Sequence, residues 1–189
     1  MTSILLHMHS ITDDNEAGRA TGWLQGRLSA KGRALARELA EGRRRAGAVA
    51  VFTSDLQRAI ETAALTFADT STPVLYDWRL RECDFGDMNG APTALVHASR
   101  LDFLDRPYPG GASWREAIER VRLFLADLRL RWESARVMVI SHSAALYACH
   151  HLLAGVPLEQ LLTEGIPWQD DWRGWEFICP SSGMTRAMR

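Results

Sequence analysis

The sequence has few cysteines and no long hydrophobic run. The cysteines Cys83, Cys149 and Cys179 are odd in number and include no CxxC pair, which argues against a disulfide framework and against a zinc ribbon. The longest apolar stretches, at 48–52 and 137–140, are far shorter than the ~20 residues of a membrane-spanning helix. The N-terminus lacks the charged and apolar regions of a signal peptide. We therefore expect a soluble protein of the reducing cytoplasm with no membrane partner.

The chain also lacks an excess of charge of either sign. Its 189 residues include 22 Lys+Arg and 23 Asp+Glu, for a formal net charge of −1. This balance excludes strongly basic nucleic-acid binders, which depend on many phosphate contacts, and acidic self-repelling tails. Because 47% of the residues are hydrophobic, the composition is typical of a globular protein. A chain of this length is expected to form one domain over 1–189 without a structural metal.

Three short runs of aliphatic residues predict buried strands. They lie at 3–8, 48–54 and 136–141 and are continuous rather than alternating, as is typical of strands covered on both faces. A helical pattern follows each run along the chain. The segments that begin at Ser54 and Ser113 carry Gln or Glu three residues later, which predicts a capping box at each. Strands that alternate with helices predict an α/β fold with a mostly parallel central sheet.

Two regions do not follow this alternation. The segment 83–111 is rich in Gly and Pro and has weak helical periodicity, so we expect an excursion that shapes a pocket. The C-terminal tail contains Trp168, Trp172 and Trp175. These side chains are expected to pack into the core and the pocket wall, and the tail is expected to end in a strand at WEFIC.

Polar residues follow the carboxyl ends of the predicted strands. His9 follows the first strand, Arg58 lies at the helix start after the second, and His142 follows the last. Ligands of open α/β sheets bind at this edge, where the helix start beside Arg58 would add N–H donors. A neutral imidazole is a nucleophile and an arginine fork matches phosphate oxygens. The pattern therefore predicts an anion site suited to phosphoryl transfer.

Five ordered segments between residues 4 and 143 carry a resemblance to a known family. The opening HSITDDNEAGRATGWLQGRLSAKG is followed by SDLQRAIETA, RLRECDFGDMNG, PGGASWREAIERV and VMVISHS. The set resembles the histidine phosphatase superfamily, the phosphoglycerate mutase-like enzymes, and SDLQRAIETA is its most specific part. The resemblance implies a three-layer α/β/α sandwich and phosphoryl transfer through a phosphohistidine, with no metal or other cofactor.

The resemblance also implies roles for individual residues. His9 corresponds to the nucleophile, Arg58 and His142 to phosphate ligands, and Glu82 to the acid that protonates the leaving oxygen. The chemistry needs such groups, because cations stabilise the phosphoryl oxygens and a carboxylic acid protonates an alkoxide. The positions that match the substrate side of relatives are Asn15, Thr21 and Gly22.

The sequence departs from the family pattern at four positions beside the two histidines. Met8 replaces the Arg of the Arg-His-Gly motif, Ser10 replaces its Gly, and Ile11 replaces the usual Glu or Gln. Ser143 replaces the Gly after the second histidine. Loss of a bidentate arginine would weaken phosphate stabilisation by about 10²-fold or more. The Ser10 and Ser143 hydroxyls are expected to bind the substrate and to replace part of this contact.

Two alternatives stay open for the site residues. Asp84 and Asp87 are close enough to Glu82 in sequence to compete for the role of acid. His7 and His9 are two residues apart on a strand and would start a metal site of the HxH type. The short chain and the lack of further matching ligands make the metal site the weaker interpretation.

The function that the sequence favours is metal-independent hydrolysis of a phosphomonoester of a small metabolite, with the departures pointing to a non-standard substrate. A phosphoglycerate-type mutase is an alternative, suggested by the segment ATGWLQGRLS. An alternative of another class is a binding or regulatory module that kept the fold and lost turnover, because Met8 removes a phosphate ligand. The identity of the substrate and the oligomeric state stay open, a homodimer being one option.

Overall fold

The computed structural model describes residues 1–38, 40–166 and 174–180. The strands are β1 (Thr2–Met8), β2 (Ala50–Thr53), β3 (Val74–Tyr76), β4 (Arg136–Ser141) and β5 (Trp175–Cys179). The α-helices are α1 (Asp13–Glu16), α2 (Ala30–Glu38), α3 (Ala40–Arg45), α4 (Gln57–Phe67), α5 (Thr93–Ala98), α6 (Trp114–Arg131), α7 (Ser143–Ala154) and α8 (Leu158–Glu164). Short 3₁₀ helices lie at Trp78–Leu80, Gly86–Met88 and Arg100–Phe103.

The strands form one sheet in the order β3-β2-β4-β1-β5. The first four are parallel to their neighbours, and β5 runs antiparallel along β1. Met8 lies opposite Ser141, and Thr53 lies opposite Ile140. The three central strands therefore end side by side, and the residues that follow them meet at one edge. The predicted mostly parallel sheet and the strand at WEFIC are confirmed.

The central strands are buried on both faces, which explains their continuous hydrophobic runs. Ile4 and Leu6 of β1 belong to the larger core cluster, with side chains from α6 and α7. Leu5 of β1 belongs to a second cluster that contains Ala63 and Phe67 of α4. Successive side chains of a strand point to opposite faces, so helices cover both sides of the sheet. This is the three-layer arrangement that the family resemblance implies.

The two predicted capping boxes have different outcomes. The one at Ser113 is confirmed, with reciprocal bonds to Glu116 at the start of α6. The one at Ser54 is wrong, because α4 begins at Gln57, its N-cap residue is Leu56, and no side chain caps the helix. The Ser54 hydroxyl instead lies 2.6 Å from Nε2 of His142. The sequence does not predict the short edge strand β3, since three residues give too little pattern to distinguish a strand from a loop.

The C-terminal tail is only partly described. Trp175 packs against the larger core cluster at the start of β5, as expected, whereas Trp168 and Trp172 lie outside the described residues. Among the helices that the structure describes, none combines the length and the apolar character needed to cross a bilayer.

Candidate active site

A cavity of about 440 Å³ opens at the carboxyl edge of the sheet. Its wall combines the end of β1, the following loop, the first turn of α4, the acidic segment after β3 and the excursion 83–111. Residues with a bearing on substrate binding and chemistry line it: Met8, His9, Asn15, Thr21, Gly22, Arg58, Glu82, Phe85, Val96, Arg100, Trp114 and Ser143. Residues of the excursion thus form part of the pocket wall.

The His9 ring is fixed in one protonation state by two hydrogen bonds. Its Nδ1 lies 2.7 Å from the carbonyl oxygen of Ser10, and its Nε2 lies 3.3 Å from Nε of Arg58. A carbonyl only accepts and a guanidinium only donates, so the proton is on Nδ1 and the lone pair is on Nε2. Burial, and then the charge of Arg58, lower the pKa of His9 from 6.5 to about 3. At neutral pH His9 therefore presents an uncharged, nucleophilic nitrogen.

Arg58 is held by backbone carbonyls rather than by a carboxylate. Its Nη1 donates to the carbonyls of Leu24 at 2.8 Å and Gln25 at 3.3 Å, and its Nη2 donates to the carbonyl of Gly22 at 2.8 Å. Burial lowers the pKa of Arg58 to about 10, so the side chain stays charged at neutral pH. Its positive charge is thus not neutralised by an ion pair with a described residue and is available to a bound anion.

The loop that supplies these carbonyls depends on a glycine. Gly22 has φ +54°, and a Cβ at this position would overlap the side-chain oxygen of Asn89. That oxygen accepts N–H bonds from Trp23 at 3.2 Å and Phe85 at 3.1 Å. Asn89 therefore ties the Gly22 loop to the excursion. Sequence reasoning missed Asn89, because an Asn-Gly pair on its own indicates only a turn.

The carboxylate of Glu82 lies at the N-terminus of α7. Oε1 accepts from the backbone N–H of Cys83 at 2.9 Å and Ala144 at 3.0 Å, and Oε2 accepts from that of Ser143 at 3.1 Å. Each carboxylate oxygen has two lone-pair positions, so Oε2 retains one position for a proton or a substrate oxygen. Nothing in the sequence pattern indicates that Glu82 also caps a helix.

The backbone of Glu82 is held from the opposite side. Its carbonyl accepts from Nε1 of Trp23 at 2.7 Å and from Nη2 of Arg120 at 2.9 Å. The Arg81 and Arg120 guanidinium groups lie over the Trp23 ring, with their centres 4.6 Å and 5.5 Å from its centroid. Glu82 is therefore fixed through its side chain and its main chain. Such rigidity suits a group that must meet one atom of a substrate.

Asp84 and Asp87, the competing carboxylates, are not among the lining residues of the pocket. Asp84 accepts from the N–H of Gly86 at 3.0 Å and from Nδ2 of Asn89 at 2.8 Å, so it shapes the turn of the excursion. Of the three acidic side chains in this segment, Glu82 is the one that the structure brings to the pocket.

His142 lies behind His9 rather than on the pocket surface. It is fully buried, its ring centroid is 5.0 Å from that of His9, and its Nε2 lies 2.6 Å from the hydroxyl of Ser54. Burial, then the charge of Arg58, hold its pKa well below the ordinary value. Its Nδ1 has no hydrogen-bond partner among the described residues. The structure therefore supplies a neutral imidazole with one unused nitrogen beside the nucleophile.

The predicted substrate-side residues separate into two groups. Asn15, Thr21, Gly22 and Ser143 all line the pocket. Ser10 does not, because its hydroxyl donates to the carbonyl of Gly32 at 2.8 Å and its N–H donates to the Thr62 hydroxyl at 2.9 Å. The expectation that the Ser10 side chain replaces a missing phosphate ligand is corrected accordingly. The neighbouring helices α2 and α4 therefore determine where the Ser10 side chain points.

Met8 stands at the base of the pocket and forms an apolar wall with Phe85, Val96 and Trp114. It packs against the larger core cluster, to which the other three belong. This part of the pocket therefore has a hydrophobic surface. Arg100, which the sequence pattern does not single out, also lines the cavity and is 8% exposed.

The described residues contain no group of three or more His, Cys, Asp or Glu side chains arranged to hold a metal ion. The arrangement instead joins a neutral nucleophilic imidazole, a buried cation and a carboxylate in one cavity. These groups are sufficient for attack on phosphorus, stabilisation of phosphoryl oxygens and proton transfer.

Comparison with known proteins agrees with this geometry. A family model described as the histidine phosphatase superfamily (branch 1) matches residues 4–168. The chain is 30% identical over 169 residues to "Probable phosphoglycerate mutase GpmB" of Enterobacter sp. (strain 638), with 83% of this chain and 77% of the relative covered. It is similar to the structure of mycobacterial glucosyl-3-phosphoglycerate phosphatase with VO3 (TM-score 0.74, 28% identity, 85% of each chain covered). It is also similar to "Mycobacterial hydrolase 1" (TM-score 0.75, 27% identity, 85% of this chain and 83% of that chain covered).

Proposed function

The chain belongs to the histidine phosphatase superfamily, and from this premise we propose that it hydrolyses a phosphomonoester of a small metabolite, without a metal, through a phosphohistidine at His9. The observation that carries the proposal is the fixed state of His9. Its Nδ1–H donates to the Ser10 carbonyl, and its Nε2 lone pair lies beside the buried cation Arg58. Both residues line the cavity, so this lone pair and this cation can meet the same bound phosphate.

The first half of the reaction transfers the phosphoryl group to the protein. Nε2 of His9 attacks phosphorus, the bond between phosphorus and the ester oxygen breaks, and the departing oxygen takes a proton from Glu82. Arg58 redirects its Nε–H from His9 to a phosphoryl oxygen, which keeps one charge-assisted hydrogen bond throughout. The N–H of Nδ1 stays on the Ser10 carbonyl and stabilises the positive charge that forms on the ring.

The second half releases phosphate. Glu82, now ionised, takes a proton from a water molecule, whose oxygen attacks phosphorus as the bond to Nε2 breaks. His9 returns to its neutral state and Glu82 to its protonated state, so that protons and charges balance over the cycle. The rigid support of Glu82 by Ser143, Ala144, Trp23 and Arg120 suits a group that acts in both halves.

The composition of the pocket wall supports a substrate that is not a generic phosphomonoester. Met8 replaces one cation at the phosphate end with an apolar side chain, and Phe85, Val96 and Trp114 extend that apolar surface. A pocket with an apolar wall and few phosphate ligands gains affinity from the body of the ester rather than from the phosphate alone.

We also propose that the chain forms a single domain and acts in the cytoplasm, where its three buried free cysteines would stay reduced.

Release of inorganic phosphate from a panel of phosphomonoesters by the purified full chain tests this function. We expect hydrolysis that persists in the presence of a chelator and falls at least about 10³-fold in His9→Gln. His151→Gln is the matched control, because His151 lies on α7 and hydrogen-bonds to the Val156 carbonyl away from the pocket lining.

Three results would contradict the proposal. Isomerisation of a phosphoglycerate without phosphate release would assign a mutase. Binding of phosphorylated ligands with no turnover on any of them would assign a binding module. Activity abolished by the chelator and restored by zinc would indicate a metal site with His7 and His9 as ligands.

A further inference from the structure

Arg100 is a buried cation that the proposed reaction does not use. It begins the 3₁₀ helix of the excursion, lines the cavity and is 8% exposed. Its hydrogen bond to a described residue runs from Nη1 to the Tyr147 hydroxyl at 3.0 Å. Its Nε is buried without a partner among the described residues, and it forms no ion pair with any of them. A guanidinium has five N–H donors, so most of those of Arg100 have no partner among the described residues.

Other buried arginines near the site are satisfied by the protein itself. Arg58 donates to carbonyls through both of its terminal nitrogens, and Arg120 donates to the carbonyls of Arg79, Arg81 and Glu82. Burial of a charge without such partners is costly. Arg100 differs from these two arginines in that it has one side-chain hydrogen bond to a described residue and lines the cavity, where a bound ligand would meet it.

Two aromatic rings lie beside the guanidinium of Arg100. Its centre lies 5.6 Å from the Trp114 centroid and 5.5 Å from the Tyr147 centroid. Cation–π contacts stabilise the charge, but they do not satisfy N–H groups in the plane of the guanidinium. The rings therefore position Arg100, whose side chain lines the cavity.

We propose that Arg100 binds a second oxyanion of the substrate, a carboxylate or a second phosphoryl group. The inference rests on the proposed function, in which the ester phosphate lies at His9 and Arg58. The substrate is then a phosphomonoester whose apolar body contacts Met8 and Phe85 and whose far end carries an acidic group. An arginine fork matches both planar carboxylates and phosphates bidentately. Compared with the family pattern, this pocket has lost a cation at the phosphate end and places one at the far end.

Binding of phosphonates, which cannot be hydrolysed at the carbon–phosphorus bond, tests the site independently of turnover. The probes are benzylphosphonates that carry a 3-carboxylate, a 3-phosphonate or a neutral 3-carbamoyl group, measured by calorimetry at fixed ionic strength. We expect the wild type to bind the better of the two acidic probes about ten- to a hundredfold more tightly than the neutral one. The larger gain identifies the natural oxyanion as carboxylate or phosphate.

The Arg100→Gln variant is expected to lose this preference, and Arg106→Gln is the matched control. Arg106 lies in the same excursion but is not among the pocket-lining residues. Arg100→Lys, which keeps the charge and loses the fork, is expected to show an intermediate preference. An equal affinity of the wild type for acidic and neutral probes, or a preference retained in Arg100→Gln, would overturn the inference.

Thermal unfolding separates a binding role from a structural one. Arg100→Met removes a buried charge without an acidic partner among the described residues and keeps an apolar chain beside the two rings, so we expect a Tm equal to or above that of the wild type. A Tm lower by about 3 °C or more, with the preference for acidic probes intact, would show that the role of Arg100 is structural.

Hydrolysis of the corresponding benzyl phosphates is measured separately. If the protein prefers the acidic probes but hydrolyses none of the phosphates, only the proposed function is contradicted. If it hydrolyses them but shows no preference for the acidic probes, only the Arg100 site is contradicted.

Discussion

Arg58 donates its Nε–H to the nucleophilic Nε2 of His9 across 3.3 Å. The bond occupies the position that phosphorus must take, so a bound phosphate has to displace it. Because the other two nitrogens of Arg58 stay on the carbonyls of Gly22 and Leu24, the guanidinium needs little movement to transfer this bond to a phosphate oxygen. The resting site therefore protects the lone pair of His9 and keeps the cation in place.

The protonation state of His9 is a first prediction. Because its pKa is lowered to about 3, its imidazole is expected to stay neutral, with the proton on Nδ1, from about pH 8 down to about pH 5. Nitrogen-15 NMR of the histidine rings measures this directly, and His9→Gln assigns the signals. A His9 ring that becomes doubly protonated with a midpoint near its ordinary pKa of 6.5 would contradict the described environment.

Glu82→Gln is expected to slow the release of poor leaving groups selectively. An alkyl phosphate should lose about 10²–10⁴-fold in kcat/KM, whereas an aryl phosphate should lose less than about tenfold because its phenolate leaves without a proton. Steady-state kinetics on one alkyl and one aryl substrate give the contrast.

Asp87→Asn serves as the control for Glu82→Gln, since Asp87 is not among the pocket-lining residues. It should change the rate on neither substrate. Equal losses for the alkyl and aryl esters in Glu82→Gln would remove Glu82 from the role of acid, and a selective loss in Asp87→Asn would transfer that role.

Gly22→Ala tests the loop that holds Arg58. The new Cβ would overlap the side chain of Asn89, and the alanine would have to adopt an unfavourable positive φ. Gly18→Ala is the matched control, since Gly18 has a similar φ of +66° and no atom lies within 4 Å of the place its Cβ would take. We expect Gly22→Ala to unfold at least about 3 °C below Gly18→Ala and to lose about tenfold or more in kcat/KM. Equal behaviour of the two variants would show that the Gly22–Asn89 contact is unimportant.

Met8→Arg distinguishes a retuned pocket from a weakened one. An arginine would bring a charge beside the apolar wall of Phe85 and Val96, so we expect no gain on generic phosphomonoesters and a loss of about fivefold or more on the preferred substrate. Met8→Leu, which nearly conserves volume and polarity, should change little. An increase of about tenfold or more on generic phosphates in Met8→Arg would instead identify a phosphatase weakened by the missing guanidinium.

The sequence predicts the sheet and the convergence of His9, Arg58 and His142, because buried parallel strands are continuous apolar runs and their carboxyl ends meet at one edge. It does not predict side-chain direction after a strand ends. Ser54 matches a capping pattern, yet its hydroxyl is taken by His142. Ser10 is expected to bind the substrate, yet helices α2 and α4 supply its partners. Tertiary neighbours decide both cases.

Arg100 shows a second limit of the sequence. It lies in a segment of weak periodicity where an arginine is most simply a solvated charge. Arg100 becomes a buried cation because Trp114 and Tyr147 pack beside it. These residues are 14 and 47 positions later in the chain. The absence of an acidic partner among the described residues is visible only once those neighbours are placed.

The phosphohistidine is tested most directly by rapid-quench labelling with a ³²P-labelled substrate that the wild type hydrolyses. We expect a protein-bound label that is stable in alkali and labile in acid, that forms at least as fast as turnover, and that maps to His9. His9→Gln should carry none, and His151→Gln should carry as much as the wild type. Label that maps to another residue, or label retained by His9→Gln, would contradict the assignment of His9 as the nucleophile.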